Sequence, residues 1–257
     1  MSHPYALPVA CTVTDRATIP PAELCGVRIY AEYSPAGELG GDFYTLSGDP
    51  QAGFSLLIGD VCGRGHEAAR LVGKLRPTLE ALGRSGLTPA QQLSELNRAA
   101  CQALPQNAFA TAVCLSIAPG SYQLRVANAG HVPPLVRSAS AQPFVVGRAS
   151  GPPLGMLSEA VYDEARTDLH PGDVLLLMTD GVLEALETDL VGMPRLLDLL
   201  SAWGSGPEGL RQRIVQDVRR SSRVRGRDDL TLLCLELAGT LGVDELPRSR
   251  PSTASLH

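Results

Sequence analysis

Apolar residues recur with two different periods along the chain, and the changes of period divide it into elements. "VRIYAEYSP" (27–35) alternates apolar with polar positions, as a half-buried strand does. "DFYTL" (42–46) and "FSLLIGDV" (54–61) predict two further strands, separated by the turn-forming "SGDPQAG". From His66 to Gly86, Ala, Leu and Val return at helical spacing, with Pro77 expected to kink or split the helix. Thr88, Pro89 and Gln91 then form a capping box with proline at the first helical position, which starts a second helix. The middle of the chain changes character. "FATAVCLSIA", "SYQLRVANAG", "VPPLVR" and "PFVVG" are short β-rich runs broken by Gly, Pro and Ser, and they predict an antiparallel meander. "YDEARTDL", "DVLLLMTD" and "LTLLCLEL" add strands, and "MPRLLDLLSAW" and "PEGLRQRIVQDVRRSS" place two helices between the last two. Strands in runs with helices in pairs predict an α+β domain, sheet packed on sheet with helices outside.

The two ends of the chain lack this periodicity. Residues 1–24 carry four prolines and are expected to be an irregular lead-in. The segment from 239, "GTLGVDELPRSRPSTASLH", is polar and rich in breakers, so a disordered tail is expected there. One domain over 25–238 is the simplest division, and 257 residues are enough for a sizeable core.

Composition narrows the partners. A net charge of −5 speaks against nucleic acid as a partner. No apolar run approaches the roughly 20 residues that cross a bilayer. The start lacks a basic segment followed by an apolar one, so no leader peptide or membrane association is expected and the chain reads as cytoplasmic. The cysteines (11, 25, 62, 101, 114, 234) form no C-x-x-C pair, which suits free thiols in a reducing compartment. Cys114 and Cys234 lie in apolar runs and read as small buried hydrophobes. A cysteine phosphatase would need arginine six residues after Cys62, and position 68 is alanine.

Chemistry is suggested first by "GDVCGRG" (59–65), where an apolar strand ends on Asp60 and glycines follow. "GRGHEA" nearly fits a dinucleotide-binding loop. That fingerprint requires a second strand ending in an acid about 20 positions later, and the corresponding window, "LRPTLEALGRSG", is helical. Asp60 also places negative charge where a phosphate would lie. The dinucleotide reading fails on context. Asp42, Asp180, Asp228 and Asp229 likewise adjoin apolar strands, where an unpaired carboxylate is costly to bury. Taken singly each has an ordinary reading: Asp180-Gly181 as a turn or helix cap, Asp228-Asp229 as a solvated loop. Taken together, carboxylates from distant segments could converge on a pair of Mg2+ or Mn2+ ions, which favour oxygen ligands.

The series "GGDFY", "GDVCGRG", "FATAVCLSIA", "VANAGHVPPLVR", "GPPLGM", "LHPGDVLLLMTDGVLEA" and "RDDLTLLCLEL" resembles the SpoIIE-like (RsbU-like) branch of the metal-dependent protein serine/threonine phosphatases, the PPM or type 2C group. The resemblance covers residues 27–237 with its motifs in family order. It implies a four-layer α-β-β-α sandwich, two mainly antiparallel sheets flanked by helices, with a binuclear Mn2+/Mg2+ centre at one end. By the same resemblance Asp60 bridges both ions, and the Val61 carbonyl is a further ligand. Asp180 and Asp228 supply the other metal carboxylates, and Asp42 is the acidic residue that holds metal-bound water. Asp229 stands where relatives often have Asn and ranks below Asp228 as a ligand. Gly63 and Gly65, and Gly40-Gly41, let the backbone turn beside the ions.

The branch often has His at position 64, where Arg64 is a candidate phosphate-binding residue, and often Asp at position 45, which is Thr. His131 of "NAGH" is expected to be a hydrogen-bonded structural residue. The implied activity is hydrolysis of phosphoserine or phosphothreonine on a signalling protein. In this branch that protein is usually a phosphorylated STAS-domain antagonist of an anti-sigma factor. A phosphatase-fold binding module with little turnover, or hydrolysis of a small phosphorylated metabolite, are the competing readings. No sensor segment is visible in the sequence, so activation is expected from a partner, from dimerisation through the helices near 66–104, or from expression level.

Overall fold

Alternating burial organises the strands. In β2 (Val27–Ser34), Val27, Ile29, Ala31 and Tyr33 turn inward while Arg28 faces solvent. The computed structural model describes residues 17–49, 53–138, 141–186, 193–202, 206–220 and 228–238. β1 (Ala17–Leu24), β2, β11 (Leu230–Leu237), β10 (Val174–Met178), β7 (Leu135–Arg137) and β8 (Phe144–Val145) form one sheet in that order. β3 (Asp42–Asp49), β4 (Gly53–Val61), β5 (Ala110–Ile117), β6 (Gln123–Ala129) and β9 (Ala165–Asp168) form the second. Every pairing between these strands is antiparallel.

Three apolar clusters separate four layers. The first lies between the sheets and joins Ile29, Leu233 and Leu235 of one to Leu56, Ile58 and Leu115 of the other. The second packs α1 (Gly65–Leu82) and α2 (Pro89–Ala103) on the outer face of the second sheet. The third packs α3 (Asp180–Ala185), α4 (Met193–Ala202) and α5 (Pro207–Arg220) on the first. The α-β-β-α sandwich expected from the resemblance is the observed fold.

Two local expectations need correction. Residues 17–24 are expected to be irregular, yet Ala17–Leu24 is a strand paired with β2, its register shifting between Ile19 and Ala22. Pro20 and Pro21 fall at that shift. Prolines are tolerated there because β1 is the edge strand and needs donors on one side only. Residues 1–16 and the expected tail from 239 lie outside the described residues. Of the two outcomes expected of Pro77, a kink or a split, the split does not occur: α1 is one helix across it. A mid-helix proline costs about 3 kcal/mol. Leu71, Val72, Leu75, Leu79 and Leu82 are all buried, and each such side chain contributes about 1.5–3 kcal/mol. Burial of that face outweighs the missing hydrogen bond. α2 begins as expected, with Gln91 N donating to Thr88 Oγ1 and Thr88 N to Gln91 Oε1.

Candidate metal centre

Asp42 and Asp60 are direct partners across the β3–β4 ladder, and Thr111 on β5 is the partner of Asp60. Alternation puts them on the same face as Tyr44, Ile58 and Val113, so the row ends the core between the sheets. The first sheet supplies the other half. Thr179 follows β10, and Asp180 opens α3 directly behind it. Asp228 and Asp229 precede β11. The structure thus brings the distant carboxylates to one end of the sandwich.

Their surroundings differ sharply. Asp42 is 1% exposed, and its Oδ2 accepts hydrogen bonds from Thr179 Oγ1 at 2.9 Å and Thr231 Oγ1 at 2.6 Å. Thr179 Oγ1 in turn accepts the Thr231 N–H at 3.0 Å. Burial raises the Asp42 carboxyl well above the ordinary carboxylate range, the two threonine bonds pull it down, and Asp229 and Asp180 push it further up. Asp60 is raised as well, first by burial and then by Asp42, Asp180, Asp228 and Asp229. Asp180 lies open at the mouth, yet the protein around it displaces water and Asp228 adds like charge, so its carboxyl also rises. Arg64 opposes that rise and pairs with Asp228, Nη2 to Oδ2 at 3.2 Å.

The adjacent acids Asp228 and Asp229 do different things. Asp228 remains partly exposed beside Arg64. Asp229 is 4% exposed and accepts backbone donors on both oxygens, Ala36 N at 2.8 Å and Gly41 N at 2.6 Å. It clamps the loop that delivers Asp42. A Cβ on Gly40 would stand 2.4 Å from the Asp229 carboxylate, and one on Gly181 would stand 2.1 Å from the Asp229 carbonyl. These glycines are required by close approach.

Val61 is fully buried, and its N–H donates to the Gly41 carbonyl at 3.1 Å. A Cβ on Gly41 would come within 2.8 Å of the Val61 carbonyl oxygen and 2.9 Å of Asp60 Oδ1, so the missing side chain leaves both oxygens clear. Gly63 and Gly65 take φ of +109° and +59°, which lets the chain turn from β4 into α1. Arg64 between them is the N-cap of α1 and projects outward, 65% exposed. His131 is buried, with Nδ1 2.8 Å from Thr111 Oγ1 and its N–H bonded to Asn128 Oδ1. Burial pushes its imidazole down to about 4, which suits a neutral structural residue.

Whether a cation fits can be judged from the donors. All are oxygens, neighbouring acids raise the proton affinity of Asp60 and Asp180, and Arg64 opposes the rise at Asp180. The Tyr33 hydroxyl is buried with no hydrogen-bond partner among the described residues, and Asp229, Asp42 and Asp60 add to burial in pushing its phenol up. Among the described residues, no group of three or more His, Cys, Asp or Glu side chains is already drawn together to hold an ion. Donor chemistry and charge therefore fit a hard divalent cation, and a preformed cage does not contribute to that fit.

Thr179, Thr231 and Tyr33 were not identified by sequence reasoning. For the two threonines the signal available was position, a hydroxyl beside the acid in "TDG" and two places after the acidic pair in "DDLT". Threonine in a strand reads as an ordinary β-former.

The architecture is that of PP2C-type phosphatases. It is similar to the RsbU and RsbW domains of Rv1364c from Mycobacterium tuberculosis, with a TM-score of 0.68 and 26% identity over 93% of this chain and 64% of that one. It is similar also to the PP2C phosphatase domain of SpoIIE from Bacillus subtilis, with a TM-score of 0.68 and 18% identity over 82% and 63% of the two chains. The chain belongs to the Stage II sporulation protein E (SpoIIE) family, whose profile matches residues 50–238. A curated relative, the phosphoserine phosphatase RsbU of Bacillus subtilis (strain 168), is 28% identical over 203 residues. That alignment takes in 78% of this chain and only 60% of RsbU. No helix among the described residues is long and apolar enough to cross a membrane.

Proposed function

We propose that the chain is a divalent-metal-dependent protein phosphatase that hydrolyses phosphoserine or phosphothreonine on a signalling protein in the cytoplasm. The observation that carries the reading is the register-matched Asp42–Asp60 pair, joined by Asp180 and Asp228 from the other sheet. The similarity to RsbU, a phosphoserine phosphatase, supports it.

Asp60, the Val61 carbonyl, Asp180 and Asp228 would hold a pair of Mg2+ or Mn2+ ions. Such ions, when bound, acidify a water toward neutral pH and neutralise phosphoryl oxygens. Asp42 is fixed through Oδ2 by Thr179 and Thr231, which leaves Oδ1 to orient water in the site. Arg64, exposed at the rim beside Asp228, would meet a phosphoryl oxygen of the arriving phosphoserine. Hydrolysis joins a water oxygen to phosphorus, breaks the serine Oγ–P bond, and returns a proton to the serine oxygen. No side-chain nucleophile is required, and Cys62 Sγ instead accepts the Phe109 N–H at 3.2 Å. The substrate is a serine-phosphorylated STAS-domain protein of a partner-switching pathway.

The test is release of phosphate from such a protein by the purified chain with Mn2+, abolished by EDTA and in Asp60→Asn and Asp180→Asn. Full activity in both variants would reject the assignment. Metal binding without turnover on several phosphoproteins would favour a binding module.

A further inference from the structure

The outer face of the second sheet changes chemistry halfway along its strands. Near the carboxylates it is apolar, with Phe43, Leu57, Ala112, Cys114 and Ala127 buried in one cluster with α1 and α2. At the other end Ser47, Ser55, Ser116 and Arg125 stand directly opposite one another across β3, β4, β5 and β6. All four are half-buried. Continuous helix packing would call for Val or Leu at these positions.

Above this polar row lies a cavity of about 460 Å³, within the range of small-molecule sites. The connection from Gly83 to Leu87 borders it on the helix side. Gln92, 3% exposed, also lines it, and its Nε2 donates to Ser55 Oγ at 3.2 Å and to the Leu87 carbonyl at 3.0 Å. That side chain ties the floor to the helix connection. Arg125 is fixed by Glu164, Nε to Oε2 at 2.9 Å, and Glu164 also accepts the Ala90 N–H at 3.2 Å. Arg84 is exposed at the rim, and Asp49 also lines the cavity.

We propose that this cavity is a binding site for a small phosphorylated metabolite bearing hydroxyl groups, the size of a nucleoside monophosphate or a sugar phosphate. Serine hydroxyls both donate and accept, which suits sugar hydroxyls. Arg84 supplies the charged donor for a phosphate. The polar floor disfavours an apolar ligand. The site lies at the opposite end of β3 and β4 from Asp42 and Asp60, and α1 also runs from the chain after Asp60 to the cavity rim. An occupant there bears on the elements that carry the carboxylates without touching them. Binding there does not depend on the phosphatase reading.

The test is calorimetric titration of AMP and of glucose 6-phosphate into the full chain in EDTA, which keeps divalent ions from recruiting phosphate to the carboxylates. At least one probe is expected to bind the wild type at one site per chain. Ser55→Leu, which fills the floor, and Arg84→Glu, which reverses the rim charge, are each expected to weaken it about tenfold or more. Asp60→Asn is expected to bind as the wild type does. A cooperative thermal melt of each variant, with its midpoint well above the titration temperature, separates lost binding from lost folding. Three outcomes each overturn the proposal: neither probe binds the wild type, binding survives both cavity variants, or binding disappears in Asp60→Asn.

Discussion

β3 and β4 end in two polar regions built on opposite principles. At one end Asp42 and Asp60 lie together in the inter-sheet core, both raised in proton affinity by burial and by neighbouring acids. At the other end Ser47 and Ser55 face each other as neutral groups, with Gln92 bonded to Ser55 and Arg125 paired to Glu164. The serine end is balanced as it stands. The carboxylate end is balanced only by protons or by cations, and that instability is what a metal centre requires.

The largest effect expected is that of Asp60→Asn. Turnover should fall by more than about 100-fold, beyond the tenfold to hundredfold cost of losing a group that only orients a ligand. The same variant should melt higher than the wild type in EDTA, because it removes a buried like charge. A lower melting temperature in EDTA would break the contrast. Asp229→Ala comes next. It leaves the Ala36 and Gly41 N–H groups unpaired, at about 1–3 kcal/mol for each one left buried, and denaturant unfolding should show it with or without metal. Thr231→Val removes one of the two hydroxyls on Asp42. Turnover is expected to fall about tenfold, with Mn2+ affinity measured in parallel to locate the loss.

A pH scan sharpens the same comparison. Asp42, Asp60 and Asp180 have folded-state affinities for protons above the unfolded value, so their contribution is complete below that value and is lost as pH rises through the raised ones. In EDTA the melting temperature should therefore increase as pH falls from about 8 to about 6.5. Further acidification meets His131, whose folded value is depressed to about 4, so its contribution is lost in the opposite direction, between its unfolded value and 4. Saturating Mn2+ should flatten the upper part of the curve. Ser55→Leu is the smallest perturbation, with phosphatase turnover in the absence of added ligand expected to match the wild type.

Local chemistry was legible in the sequence, and partnership across the fold was not. The Thr88–Gln91 box is complete within four residues, so it could be read directly and is found. Asp42, Asp60, Asp180 and Asp228 could be named because their motifs resemble a family. Their convergence depends on the β3–β4 register and on two sheets meeting, which no local pattern contains. Asp228 and Asp229 are chemically identical neighbours, and only the loop from Ala36 to Gly41, nearly the whole chain away, tells them apart. Pro20-Pro21 read as a break because nothing local says that β1 is an edge strand. The serine row was hidden for the same reason. Each serine is unremarkable in its own strand, and only register aligns them.

The central claim is that the unbalanced carboxylates hold divalent cations. Calorimetric titration of Mn2+ into the full chain, wild type against Asp60→Asn, tests it most directly. The account predicts saturable binding of a pair of ions by the wild type and loss of that binding in Asp60→Asn. Equal stoichiometry and affinity in the two proteins would contradict it.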